Sequence, residues 1–133
     1  MIVADSSALV AILRLEPEAD RFIEIILRSD ELLVSSVSYL ETSMVLAGRF
    51  GDQADWDPLD ALLREQNAEI VPQDAALTVA AREAFLRFGK GRHPAGLNMG
   101  DCAAYALARS RNLPLLFKGG DFALTDVAAA AAD

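Results

Sequence analysis

Short apolar runs alternate with longer stretches of helical spacing along most of this chain, and that alternation leaves few folds open. Ile2-Val3-Ala4, Leu32-Leu33-Val34, Glu69-Ile70-Val71 and the segment from Leu113 to Lys118 are too short for buried helices. They read as strands near 2–5, 32–35, 69–71 and 113–118. Strands separated by helices build a parallel sheet with helices packed on it. The expectation is one α/β domain over 1–133, without a repeat, a linker or a second domain.

Local signals place the helices. A short one is expected near 7–15, capped by Ser6 or Ser7. After Pro17, Glu18 to Arg28 carries Phe22, Ile23, Ile26 and Leu27 on one helical face. Ser38-Tyr39-Leu40-Glu41 matches the capping-box pattern and opens a helix running to Arg49, with Gly51 beyond it. Asp57-Pro58 is a cap followed by proline in the first turn, opening a helix to about Asn67. A long helix near 74–88 shows the stripe Leu77, Ala81, Ala84, Phe85 and Phe88, and another spans 99–111. Residues 89–96 form a basic, glycine-rich loop, and the alanine-rich tail 128–132 is expected to fray.

On this frame four acids fall where strands end and helices begin: Asp5, Glu41, Asp101 and Asp121. Parallel sheets place ligands at the carboxyl ends of their strands. Four carboxylates in one pocket repel each other unless a counter-charge is supplied. A hard divalent cation, Mg²⁺ or Mn²⁺, prefers oxygen ligands. It also activates water and neutralises charge developing on a phosphodiester. Asp5 and Asp101 are read as the direct ligands, with Glu41 and Asp121 completing the charge directly or through water. Each acid also has a plain structural reading, because caps and first helical turns favour carboxylates. The hydroxyls of Ser6 and Ser7, beside Asp5, can cap the helix or hold a water.

Composition narrows the partners. Hydrophobic residues make up 53% of the chain and mean hydropathy is +0.23, yet no apolar run approaches the roughly 20 residues of a membrane span. The excess is expected to serve a subunit or partner interface. The helices near 18–28 and 39–49, through Ile25, Leu40 and Leu46, are the expected groove. One cysteine, Cys102, excludes an internal disulfide and reads as a small core residue, and no secretory signal opens the chain, so a cytoplasmic location is expected. Residues 1–81 carry 5 basic and 15 acidic side chains, whereas 82–133 carry 7 and 5. That balance argues against nonspecific coating of nucleic acid, which depends on neutralising many phosphates. A local rim of Arg82, Arg87, Lys90 and Arg92, with His93, remains suited to guiding a nucleic-acid backbone.

These residues resemble a known family, the PIN-domain ribonucleases and in particular the VapC-type toxins of bacterial toxin–antitoxin pairs. The opening Ile2-Val3-Ala4-Asp5-Ser6-Ser7-Ala8-Leu9 is similar to that family's first strand and first acid. Ser38-Tyr39-Leu40-Glu41 carries the second acid. The stretches Gly89-Lys90-Gly91-Arg92-His93 and Leu97-Asn98-Met99-Gly100-Asp101-Cys102-Ala103-Ala104-Tyr105-Ala106-Leu107-Ala108 are the most specific. Pro114-Leu115-Leu116-Phe117-Lys118-Gly119-Gly120-Asp121-Phe122, with Thr125-Asp126, is similarly close, and 50–73 contributes least.

The resemblance implies a PIN-like three-layer sandwich with a central parallel sheet of four to five strands flanked by helices. It also implies a Mg²⁺- or Mn²⁺-dependent endoribonuclease leaving 5′-phosphate and 3′-hydroxyl ends, a homodimer, and a VapB-type antitoxin that sets a basic side chain near the acids. It assigns metal binding and catalysis to Asp5, Glu41, Asp101 and Asp121, with Ser6, Ser7, Asn98 and Thr125 as auxiliary residues and Lys90, Arg92 and His93 toward RNA. Ser6 stands where threonine is frequent, and Gly120 stands where a polar residue often precedes the last acid.

Two rival readings differ in kind. A phosphoacceptor receiver domain would use Lys118, but it needs paired acids after the first strand, and Asp5 stands alone before two serines. A catalytically silent PIN-like binding module would not need all four acids.

Overall fold

The computed structural model describes residues 1–48 and 55–131. The strands are β1 (Ile2–Ala4), β2 (Leu32–Ser35), β3 (Glu69–Val71) and β4 (Leu115–Leu116). The helices are α1 (Ser6–Leu13), α2 (Ala19–Arg28), α3 (Ser36–Ala47), α4 (Asp57–Glu65), α5 (Ala75–Phe88) and α6 (Met99–Arg111). All three strand pairs are parallel, in the order β3-β2-β1-β4.

Side chains alternate across the sheet, as the period of two demands. Ile2, Ala4, Leu32 and Val34 join Leu9, Ile12, Phe22, Ile26 and Leu59 in one core. Val3, Leu33 and Leu115 join Phe88, Leu97, Cys102, Tyr105 and Leu107 in the other. Each fully buried leucine of these layers contributes roughly 1.5–3 kcal/mol by leaving water. The result is the three-layer sandwich expected from the sequence. Ile25 is 3% exposed and belongs to the first core, so it lines no groove, whereas Leu40 is 61% exposed. Leu46 is half-buried against that same core.

Several boundaries differ from expectation. Asp5, rather than Ser6 or Ser7, caps α1. Ser35 caps α3, its hydroxyl accepting from Val37 N at 3.1 Å, so the helix begins before Ser38 and Glu41 lies in its second turn. The helix ends at Ala47 with Gly48 at φ +73°, and the expected end at Arg49 and Gly51 falls outside the described residues. β4 is shorter than 113–118 because the chain leaves the sheet at Phe117, where the Ser7 hydroxyl takes the Lys118 N–H at 3.0 Å. The tail does not fray over 128–131. Leu115 N donates to Ala128 O at 2.8 Å and Ala130 N to Leu115 O at 2.9 Å, adding a parallel bridge at the β4 edge. Residues 89–97 are also more ordered than a free loop, with Lys90 N bonded to Leu97 O at 3.0 Å. No helix among the described residues is long and apolar enough to cross a membrane.

Candidate active site

Asp5 is the deepest of the four acids. Its N–H donates to Leu116 O at 2.9 Å, extending the β1–β4 ladder by one residue, and its side chain is buried. Oδ2 accepts from Ser7 N at 3.0 Å and from the Ser7 hydroxyl at 2.6 Å. Oδ1 is buried with no hydrogen-bond partner. Burial pushes the carboxyl up from 3.8 to about 6, and the charges of Asp101 and Glu41 push the same way, against the two Ser7 bonds. Helix capping and a role in the site therefore coexist in Asp5, since capping occupies only one of its oxygens.

Ser7 ties three elements together. Its hydroxyl donates to the capping carboxylate of Asp5 and accepts from Lys118 N beyond β4. Ser7→Ala removes a donor to a buried carboxylate, while the exposed Lys118 amide turns to water, so a loss of roughly 1–3 kcal/mol is expected in a denaturant titration.

Asp101 forms a capping box at the start of α6. Asn98 N donates to Asp101 Oδ2 at 3.0 Å, and Asp101 N donates to Asn98 Oδ1 at 2.9 Å. Oδ1 takes no part in the box. Burial raises the Asp101 carboxyl above its ordinary value, the Asn98 bond opposes this, and the charges of Glu41 and Asp121 add to it. Glu41 accepts from the Ser6 hydroxyl, an α1–α3 link one residue along the chain from Asp5. Gly100 closes the approach from α6: a Cβ there would lie 2.6 Å from both Glu41 oxygens. Nothing in the sequence marks Gly100, because its value is spatial and its backbone is ordinary helix.

Asp5, Ser6, Ser7, Glu41, Asn98 and Asp101 line one cleft of about 440 Å³. Asp121 stands exposed at the head of the short 3₁₀ turn Phe122–Leu124; it is not in the lining, though its charge reaches Asp101. Thr125 is satisfied locally, donating to Phe122 O at 2.7 Å and accepting from Val127 N at 3.3 Å. Lys90, Arg92 and His93 lie outside the cleft lining. His93 Nδ1 accepts from Ala95 N at 3.0 Å, which places any ring proton of the neutral form on Nε2, and the ring packs edge-on to Phe88. Lys118, the receiver-type lysine of the rival reading, is instead bound to Glu16 and Glu18 at 3.1 Å each. A larger cleft of about 530 Å³ lies between α5 and α6, lined by Ala81, Phe85, Leu86, Met99 and Cys102. It holds no carboxylate, and the acids Asp5, Glu41 and Asp101 line the smaller one. Burial pushes the Cys102 thiol up to about 11, consistent with a core residue.

Among the described residues no three potential ligands already converge on one point. Uncompensated carboxylates repel, and Glu41 is turned onto Ser6. The donor set nevertheless fits a hard cation. Every donor is an oxygen, Asp5 Oδ1 is buried and unpartnered, and Mg²⁺ sites keep several waters beside one or two carboxylates.

The PIN domain family model matches residues 2–128. A protein named Ribonuclease VapC from Mycolicibacterium smegmatis is 48% identical over 128 residues, covering 96% of this chain and 98% of that protein. The chain belongs to the VapC family of PIN-domain proteins. Ribonuclease VapC30 of Mycobacterium tuberculosis is 47% identical over 131 residues, 98% of each chain. The fold agrees with the crystal structure of Mycobacterium tuberculosis VapC20, described as a Sarcin-Ricin loop cleaving toxin, at TM-score 0.75 with 16% identity over 99% of this chain and all of that one. It also agrees with VapBC2 from Rickettsia felis, solved bound to a DNA fragment from its promoter, at TM-score 0.73 with 17% identity over 97% of each chain. Within this VapC chain the acids sit on four different segments, the end of β1, α3, the start of α6 and the turn after β4.

Proposed function

We propose that this chain is one PIN domain acting as an endoribonuclease toxin of a VapBC-type pair, dependent on Mg²⁺ or Mn²⁺. The observation that carries the metal dependence is the buried, unpartnered Oδ1 of Asp5, a residue that lines one cleft with Glu41 and Asp101. The ribonuclease reading is supported by relatives of that name at 47–48% identity over nearly the whole chain. Asp5 and Asp101 would hold the ion, with Glu41 and Asp121 adding charge. Bound there, it would supply Lewis acidity toward the phosphodiester.

The chain's own residues prepare that site. Ser7 fixes Asp5 Oδ2 and leaves Oδ1 for the ligand. The Asn98 capping box holds one oxygen of Asp101 and leaves the other available. Ser6 holds Glu41, and Gly100 leaves room for it. Lys90 and Arg92, exposed on the loop leading to Asn98, are suited to backbone phosphates. The exposed apolar side chains Leu40, Met44, Val45 and Trp56 suit an antitoxin segment, and the cleft between α5 and α6 suits a second copy of the chain.

The test is cleavage of a mixed RNA pool by purified, antitoxin-free protein with Mg²⁺, Mn²⁺ or chelator, beside Asp101→Asn. Cuts that need metal and fall by at least about a hundredfold in the variant are expected. Equal cutting by Asp101→Asn, or cutting that persists in chelator, would overturn the assignment. A folded protein that never cuts would favour the binding-module reading.

A further inference from the structure

We infer that Asp126, anchored by Tyr105 on α6 and by Arg87 and Arg109, is the residue that positions Asp121 against Asp101; this rests on the metal-dependent reading above. Upstream of Asp121 the chain is last held at Lys118, whose N–H donates to the Ser7 hydroxyl at 3.0 Å, and two glycines separate that anchor from the acid. Gly119 is at φ +97°, and a Cβ on either Gly119 or Gly120 would meet no atom within 4 Å. Neither glycine offers a side chain to fix the acid, whereas a direct hydrogen bond to Asp121 comes from downstream, from Leu124 N.

The downstream chain is held at each step. Phe122 is buried and its ring packs on Phe117 at 5.2 Å. Leu124 N donates to Asp121 O at 3.2 Å, and Thr125 closes the turn onto Phe122 O at 2.7 Å. Asp126 then accepts from the Tyr105 hydroxyl through Oδ1. Arg87 approaches its Oδ2 at 3.4 Å and Arg109 its Oδ1 at 3.9 Å. The arginine pairs are about half-exposed and screened, so they contribute little. The tyrosine bond is charge-assisted and comes from a side chain only 5% exposed. Tyr105 lies one helical turn beyond Asp101, so the carboxylates at 101 and 121 are both referenced to α6. A one-helix reference holds their spacing although Asp121 itself sits on an exposed turn.

Tyr105 and Asp126 are thus positioning residues, and the test must separate positioning from simple support of the tail. Mn²⁺ binding to the full chain, read from the free-ion electron paramagnetic resonance signal, does so across wild type, Tyr105→Phe, Asp121→Asn and the double variant. Tyr105→Phe is expected to weaken Mn²⁺ binding by about threefold to tenfold, at or below the low end for groups bonded directly to a metal ligand, because Tyr105 acts through Asp126. In the Asp121→Asn background the same change is expected to have almost no effect. Asp126→Asn, which keeps the side-chain shape, repeats the comparison if Tyr105→Phe fails to fold. Unchanged binding in Tyr105→Phe, or an equal loss in both backgrounds, would overturn the inference. If wild type binds no Mn²⁺, the functional reading itself falls. If wild type binds and Asp121→Asn weakens binding while Tyr105→Phe does not, only the positioning inference fails.

Discussion

Asp5→Asn is expected to abolish cleavage and, in the same protein without metal, to increase stability at alkaline pH. The two effects share one cause. Asp5 titrates near 6 in the folded chain against 3.8 as a free side chain, chiefly through burial. The folded state thus binds a proton more tightly than the unfolded state. The stability linked to it is fully present below about pH 4 and is lost as pH rises through about 6. At pH 8 the buried, ionised carboxylate opposes folding by up to about 3 kcal/mol, taking roughly 1.4 kcal/mol per pKa unit. Asp101, also raised, contributes with the same sign. The amide removes the charge, so the variant should melt higher in chelator at pH 8, by up to roughly 10 °C for a chain this size. The advantage should vanish near pH 4. Thermal unfolding of both proteins at the two pH values checks this. A variant less stable than wild type at pH 8 would show that burial is not what governs Asp5.

Gly100→Ala is expected to separate activity from stability in the opposite sense to a core mutation. The added methyl would lie 2.6 Å from both oxygens of Glu41. The glutamate is only half-buried and its end is flexible, so it yields rather than α6. Its bond from Ser6 is lost with the move. Helix propensity offsets part of the cost, since alanine is favoured over glycine by about 1 kcal/mol within a helix. Stability should therefore change by less than about 1 kcal/mol. Cleavage should fall by about a hundredfold, as expected when a catalytic carboxylate is displaced by an ångström. Pairing it with Glu41→Ala gives the check: a second variant no slower than Glu41→Ala alone shows that the methyl acts through Glu41. Additive losses would mean that Gly100 matters for something else.

Much of this architecture is legible in the residues themselves. The apolar triplets at β1 and β2 and the helical stretches between them announce parallel pairing, and both strands lie where they are expected. Asp5 and Asp101 are readable as site residues because each follows a clear start or stop signal. Glu41 is harder. Its capping-box pattern points to a helix start, but Ser35 caps the helix earlier, and Glu41 projects from the second turn toward Ser6 instead. A local pattern cannot reveal that competition, since Ser35 ends a strand and begins a helix at once. The pinned tail is invisible for a related reason: alanines carry no pattern, and their order comes from backbone bonds to Leu115. Gly100 and the Tyr105–Asp126 contact depend on pairs far apart in sequence, which spacing rules do not address. Charge and glycine content mark the basic loop but not its contacts; the structure ties it to Leu97 and keeps its side chains out of the acid cleft lining.

The most direct test of the central claim is a crystal of the antitoxin-free chain soaked in Mn²⁺, with anomalous scattering used to locate the ion. The account predicts a peak in the cleft of Asp5, Glu41 and Asp101, bonded to Asp5 Oδ1, and its disappearance in Asp5→Asn. A peak at Glu16 and Glu18 in place of Lys118, with none at Asp5, would contradict it.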